Sequence, residues 1–309
     1  MEFFKHKSAF DFMGKARFGL ILSGGLAILS ILSIIFHGGL KYGVDFAGGT
    51  LVQLQFKTAP SLDKIREGLK TVGFGDSTIQ EFGAQNEILI RMQKSEEKLE
   101  DLGTHIKSSL EQSLGTKEIT VSRVEMVGPK EGKDLRRKAV LSIFYSLVGI
   151  LVYVAWRFEL RFAIGAIIAT IHDVVITMGA FSILGKEFDL VVMAGFLTLI
   201  GYSLNDTVVV FDRIRENMRR AGRKSDFVEV INTSINQTLS RTVLTSGCTL
   251  LVVIALFFFG GEIIHDFAFS LMFGIVIGTY SSIFIASVYV VLWEDRTMLS
   301  KPRPAISQP

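Results

Sequence analysis

The apolar positions of this chain fall in blocks. Six runs stand out, at residues 18–36, 139–156, 162–184, 190–211, 242–259 and 267–293. An apolar helix of about 20 residues is long enough to cross a bilayer, whereas a helix on a soluble core carries its apolar residues on one stripe. The blocks predict six transmembrane helices. The first resembles a signal peptide in length, but no small-residue cleavage site follows it, and Lys41-Tyr42-Gly43 leads directly into a folded segment. It is therefore expected to stay as an anchor.

Residues 37–135 are too polar to span and show shorter periods. Residues 50–56 read as a strand. Pro60-Ser61 opens a helix with Leu62, Ile65, Leu69 and Val72 on one face, and 78–82 is a second strand. A turn at 83–86 leads to the alternating Ile88, Ile90 and Met92. Leu99, Leu102, Ile106 and Leu110 mark a second helix. A last strand begins at Ile119 and Val121, then slips to Val124 and Met126, which predicts a bulge. The order βαββαβ is that of a ferredoxin-like module. The expected fold is a polytopic α-helical membrane protein with a small α+β ferredoxin-like domain outside the cytoplasm.

Composition agrees: 49% of the 309 residues are apolar, and mean hydropathy is +0.42. Net charge is only +3, and the basic residues gather at block ends, which speaks for topology rather than nucleic-acid binding. Lys5, Lys7, Lys15 and Arg17 precede span 1, and Arg157 and Arg161 join spans 2 and 3. Arg213, Arg215, Arg219, Arg220, Arg223 and Lys224 join spans 4 and 5, and Arg296, Lys301 and Arg303 follow span 6. The opposite side has Lys186 in a short loop. Both termini are thus expected in the cytoplasm. Lys133, Arg136, Arg137 and Lys138 disagree, but they end a long translocated segment, where the rule is weak. The expected layout is a cytoplasmic segment at 1–17, span 1 at 18–36, the outer domain at 37–135, spans 2–6 within 136–293 with a basic cytoplasmic loop at 212–241, and a tail at 294–309. A single cysteine, Cys248, and scattered histidines at 6, 37, 105, 172 and 265 leave no disulfide or metal-ligand pattern, so no metal and no cofactor is expected.

Candidate chemistry lies in charges inside the blocks. Asp173 sits in span 3 and Asp206 in span 4. Intramembrane carboxylates cost about 2.5–3.5 kcal/mol on insertion scales and usually mark an ion or proton path; otherwise they glue helices together. Thr198, Tyr202 and Asp206 recur every four residues, with Asn205 flanking them. Gly165, Ala169, Asp173 and Thr177 form a similar row on span 3, and Arg241, Thr245 and Thr249 on span 5. Gly274, Gly278 and Ser282 on span 6 read as plain helix packing. A carboxyl in low dielectric favours its protonated form and an approaching arginine opposes that, so an Asp206–Arg241 contact that forms and breaks is expected to act as a proton switch. His172, beside Asp173, is a candidate relay.

Two glycine motifs mislead. Gly43-Val44-Asp45-Phe46-Ala47-Gly48-Gly49-Thr50 lacks the P-loop lysine, and its expected role is a tight turn from span 1 into the first strand. Residues 179–186 end in Gly-Lys without the spacing of a nucleotide site. No nucleophile elbow or metalloprotease helix is present, and no enzyme activity is expected.

Together these residues resemble the SecF family, membrane subunits of the bacterial SecD–SecF export complex in the resistance-nodulation-division superfamily. The resemblance rests on the 43–50 motif, Phe82-Gly83, Val127-Gly128-Pro129, Ile171-His172-Asp173, Gly201-Tyr202-Ser203-Leu204-Asn205-Asp206, Asp212-Arg213-Ile214-Arg215-Glu216-Asn217, Gln237-Thr238-Leu239-Ser240-Arg241-Thr242 and Thr245-Ser246-Gly247. It covers nearly the whole chain. It implies that Asp206 and Arg241 are tied to proton flow, and that the outer domains of the pair grip and pull emerging unfolded polypeptide. It also implies that this six-helix half needs SecD and meets the SecYEG channel in the inner membrane. Two other readings stay open: a proton-coupled exporter of small molecules or lipids, and a translocon assembly scaffold in which Asp206–Arg241 is a static ion pair.

Overall fold

A computed structural model describes residues 10–75, 77–82, 84–92, 99–116, 118–221 and 226–300. Lys5, His6, Lys7, Gly83, Arg223, Lys224, Lys301 and Arg303 lie outside the described residues. Among the described residues six helices are long and apolar enough to cross a membrane. They are α1 (Ala16–Phe36), α5 (Pro129–Arg157), α6 (Leu160–Ile183), α7 (Leu190–Ala221), α8 (Phe227–Phe259) and a continuous last span. That span comprises α9 (Glu262–Ser281), a π-helical turn (Ser282–Ala286) and α10 (Ser287–Ser300). The chain is a multi-pass membrane protein.

The helices are longer than their apolar blocks. α5 starts at Pro129, where a proline at the first helical position has no amide hydrogen to waste, with Gly128 at the cap. The stretch read as a basic loop at 212–241 is instead a helical hairpin, because α7 runs on to Ala221 and α8 begins at Phe227. Polar side chains bind it together. Arg213 pairs with Glu216 one turn away, Arg213 Nε donates to Gln237 Oε1 at 2.6 Å, and Asn217 Nδ2 donates to Ser234 Oγ at 2.9 Å and Gln237 Oε1 at 2.8 Å. These bonds let the helices continue past the apolar stretch that defines the span.

α6 is the central helix. Phe162, Ala163, Ala166 and Ala169 join Phe211 and Ile214 of α7, Ile231 and Ile235 of α8, and Ala286 and Val290 of the last span in one cluster. α1 lies against α6 through small residues: Ser33 Oγ is 2.9 Å from Ser182 Oγ, and a Cβ added at Gly179 would meet Ser30 at 2.1 Å. Small residues are what let helices approach this closely where lipid supplies no hydrophobic drive.

The polar segment folds as the four-stranded antiparallel sheet β2-β3-β1-β4, with β1 Gly49–Phe56, β2 Thr78–Phe82, β3 Ala84–Met92 and β4 Ile119–Val127. Helices α3 (Leu62–Thr71) and α4 (Leu99–Leu114) cover one face. Alternate residues Val52, Leu54 and Phe56 of β1 and Ile88, Ile90 and Met92 of β3 point into that core, against Ile65, Leu69, Leu102, Ile106 and Leu110. The β1–β4 register shifts between Gln53 and Leu54, whose partners are Arg123 and Val121, so the bulge falls at Ser122. The turn expected from the 43–50 motif takes the form of a single helical turn, α2 (Val44–Ala47), ahead of β1.

Candidate functional site

Both intramembrane carboxylates are buried where α6, α7, α8 and α9 meet. Asp173 is 0% exposed. Its Oδ2 accepts from Ser203 Oγ of α7 at 2.6 Å and from Ser281 Oγ of α9 at 2.8 Å. Its Oδ1 lies 2.9 Å from His172 Nδ1. With Nδ1 donating, His172 Nε2 is left buried and without a hydrogen-bond partner among the described residues. The row Gly165, Ala169, Asp173 and Thr177 is buried throughout.

Asp206 is 2% exposed and is held differently. Ser246 Oγ of α8 donates to its Oδ2 at 2.7 Å, and Thr279 Oγ1 of α9 donates to the same oxygen at 3.3 Å. No bond reaches its other oxygen among the described residues. The two carboxylates share two helices. α7 carries Ser203 and Asp206 three residues apart, hence on one face, and α9 carries Thr279 and Ser281. Just ahead of these hydroxyls, a Cβ at Gly278 would stand in ordinary contact, 3.4 Å from Asp173 Oδ2 and 3.4 Å from Ser203 Cβ. Gly274, a turn earlier, leaves room for Leu199. These glycines thus pack α9 against α7, as read from the sequence. The π-helical turn follows directly at Ser282, and such turns are frequent at functional sites.

The expected contact between Asp206 and Arg241 is not formed. Arg241 and Thr245 face outward, and Thr245 and Thr249 donate back to the carbonyls of Arg241 and Thr245 at 3.0 Å each. The buried row of α8 is Thr238, Thr242 and Ser246, one residue on from the predicted one and so rotated by about 100°. Asn205 and Thr198 are also exposed. Tyr202 lies in an apolar cluster with Leu199, Leu250 and Val253, its hydroxyl buried and without a partner among the described residues. Ser203, Ser246, Thr279 and Ser281 were missed as site residues. Reading Thr238–Thr242–Ser246 as a row in its own right finds Ser246, and the hydroxyl cluster Thr279, Ser281, Ser282 marks the place on the last span.

At the sheet end, the glycine motif ties three parts together. Gly48 has φ 77° and Gly49 φ 136°. A Cβ on Gly48 would stand 2.9 Å from Pro129 Cα at the start of α5, so glycine is needed there for both backbone angle and space. Asp45 Oδ2 accepts from Leu190 N at 3.0 Å, which caps the start of α7. Gly43 N donates to Phe188 O at 3.0 Å, and Phe46 stacks on Phe188 with ring centroids 6.0 Å apart. The predicted turn is therefore a clamp on the α6–α7 loop as well.

A charge cluster sits beside it. Arg91 of β3 pairs with Glu187, Lys41 Nζ is 3.2 Å from Glu187, and Lys186 Nζ donates to Asp266 at 2.5 Å. Burial lowers the Arg91 pKa, against the pull of Asp189, Asp45 and Asp266. Burial also pushes the Asp189 carboxyl above its ordinary range, opposed by its bond from Val192 N at 2.8 Å and abetted by Asp45. Among the described residues no three His, Cys, Asp or Glu side chains are placed to hold a metal ion.

Residues 106–296 match the family model for the C-terminal region of the SecD/SecF protein export membrane proteins, and residues 33–60 match the SecD/SecF GG motif. The chain is 48% identical over 294 residues to the protein translocase subunit SecF of Calditerrivibrio nitroreducens, covering 94% of this chain and 96% of that one. It is 50% identical over 277 residues to SecF of Desulfurispirillum indicum, covering 87% and 88%. Among solved structures, SecDF of Thermus thermophilus, a translocon-associated membrane protein, superposes with a TM-score of 0.82 at 40% identity. That match covers 94% of this chain and 39% of the SecDF chain, so this chain spans about two fifths of that longer protein.

Proposed function

The chain belongs to the SecD/SecF family of protein export membrane proteins, and from that premise we propose that it is the SecF-type subunit of a Sec translocase complex that uses the proton gradient to promote export across the bacterial inner membrane. One observation carries the energy-coupling part: the Asp206 carboxylate is 2% exposed within an apolar helix and is held by two hydroxyls and, among the described residues, by no cation. A hydroxyl serves the carboxylate as donor and the carboxylic acid as donor or acceptor, so the bonds at Asp206 can rearrange as a proton comes and goes. Moving one charge through the membrane potential supplies about 2.3 kcal/mol per 100 mV, and a few protons per cycle are enough to displace a domain. Asp173 and His172 stand beside this path as a relay.

The outward Arg241, Asn205, Thr198 and Thr245 bear on the partner. Polar side chains on lipid-facing helix surfaces are costly, so this face is expected to meet a second six-helix body, that of SecD, whose own acid would compensate the guanidinium. Arg241 then acts across that interface. The complex works on the SecYEG channel and on unfolded polypeptide, among membrane lipids and with no nucleic acid. The termini and the α7–α8 hairpin lie in the cytoplasm by the distribution of lysine and arginine, and the sheet domain lies outside. The role is one of transport without covalent chemistry.

The test is release of a secreted precursor in vesicles bearing the whole complex. Protonophore is expected to stop it, removal of sodium is not, and Asp206→Asn is expected to assemble normally yet lose the gradient-driven rate, as is Arg241→Met. His172→Ala is expected to slow release less. Normal export by Asp206→Asn would overturn the reading and leave a scaffold in its place.

A further inference from the structure

The segment just ahead of α1 crosses to α8 and is held there by its main chain. Asn236 and Asn232, one helical turn apart on α8, present both ends of their carboxamides to it. Phe10 N donates to Asn236 Oδ1 at 3.0 Å, and Phe10 O accepts from Asn236 Nδ2 at 2.8 Å and Asn232 Nδ2 at 3.1 Å. Phe12 N and Met13 N donate to Asn232 Oδ1 at 2.9 and 3.2 Å. An i, i+4 pair of asparagines thus grips backbone atoms, as a neighbouring strand would, and leaves the side chains of the segment free for other contacts. One of them uses that freedom: the Phe12 ring meets Phe284 edge-on, with centroids 6.2 Å apart.

Phe284 lies in the π-helical turn that follows Thr279 and Ser281, the two hydroxyls that α9 gives to the carboxylates. The same stretch is bound to the start of α1, where Tyr280 Oη donates to Gly19 O at 2.6 Å and a Cβ on Gly19 would stand 2.5 Å from the Phe284 ring. Two ties therefore run between α8 and the α9–π-turn stretch. One passes inside the bilayer through Asp206, which takes Ser246 of α8 and Thr279 of α9 on a single oxygen. The other passes at the basic end through residues 10–13.

We propose that residues 10–13 form a releasable strap: Asn232 and Asn236 hold its main chain on α8, Phe12 carries the grip to the π-helical turn, and the strap lets go when the bonds at Asp206 change. The bonds are suited to release, because several of them lie at the exposed surface, where water competes for the same groups. This rests on the proton-coupling reading of Asp206.

The test uses vesicles with the complete complex and a chain carrying Met13→Cys, which keeps the Phe12 ring and the backbone bond to Asn232, with Cys248→Ser removing the native thiol. The readout is the rate at which a water-soluble maleimide labels position 13. Imposing a proton gradient during export is expected to raise that rate at least about fivefold. Adding Asn232→Ala and Asn236→Ala is expected to give the high rate with or without the gradient, and adding Asp206→Asn to hold the low rate in both. A rate indifferent to the gradient in the reporter chain overturns the strap. So does a gradient response that persists in Asp206→Asn, since the strap would then not answer to that carboxylate. Export is measured in the same vesicles: loss of export in Asp206→Asn, with a label that ignores the gradient in the reporter chain whose Asp206 is intact, sinks the strap and leaves the proton reading standing, whereas normal export in Asp206→Asn sinks the proton reading itself.

Discussion

Asp173 and Asp206 occupy adjacent helices, are buried to nearly the same degree and both take a hydroxyl from α9, yet their surroundings differ. Asp173 has both oxygens engaged by Ser203, Ser281 and His172. Asp206 has both of its donors on one oxygen, the longer at 3.3 Å. A fully satisfied carboxylate has much to lose from any movement of the helices around it. One with a free oxygen and a stretched bond can exchange partners at little cost. Burial alone would rank the two together. Counting donors separates them, and on the proton-coupling proposal it predicts a larger structural share for Asp173 and the change of state at Asp206.

Four substitutions break or sharpen this contrast. The largest effect is expected at Asp206→Asn, whose amide oxygen still accepts from Ser246 and Thr279. Gradient-driven export should fall at least about tenfold while the unfolding midpoint in detergent stays within error of the parent. Asp173→Ala should do the reverse in kind, since it leaves three donors without an acceptor. Two of these bonds, from Ser203 and Ser281, are interhelical, and at about 0.6 kcal/mol for each in a membrane the loss of stability should reach roughly 1 kcal/mol in a detergent unfolding titration. Should Asp206→Ala destabilise the fold as much, the division of labour is wrong. A smaller effect is expected from Ser246→Ala, which leaves Thr279 as the remaining donor to Asp206: export should slow a few-fold, with stability changed by less than about 1 kcal/mol.

The smallest effect tests the far end of the molecule. The Asp189 carboxyl holds its proton more tightly in the fold than in the unfolded chain, chiefly through burial. Its contribution to stability is therefore full below the ordinary carboxylate range and is lost as pH rises through the raised folded value. Asp189→Asn should flatten that part of the pH dependence, followed by hydrogen exchange in the sheet domain from acid to neutral pH. An unchanged profile would show that Asp189 is not the group responsible.

The spans and the sheet were legible because each is written in a local period: long apolar blocks for the helices, and alternation at Ile88, Ile90 and Met92 for a strand. The carboxylates were legible because a charge inside an apolar block stands out. Their partners were not. An i, i+4 rule groups residues into rows but does not say which row faces inward, and Thr245 and Ser246 are adjacent in sequence while pointing about 100° apart. Arg91 and Glu187 offered no signal at all, since a strand of the outer sheet and the α6–α7 loop meet only through the tertiary fold. The same holds for Asn232, Asn236 and the backbone of residues 10–13.

The last span contains one residue more than a regular helix would need to cover the same turn, and Ser287 Oγ reaches back five residues to Ser282 O at 2.8 Å across the widened loop of backbone. A surplus residue in a helix can be handed along it. If the bulge migrated toward α9, Thr279 and Ser281 would swing around the axis by about 100° while the residues beyond Ser287 kept their place. Both hydroxyls would then leave their carboxylates in one motion, with no helix broken and no span lifted from the bilayer.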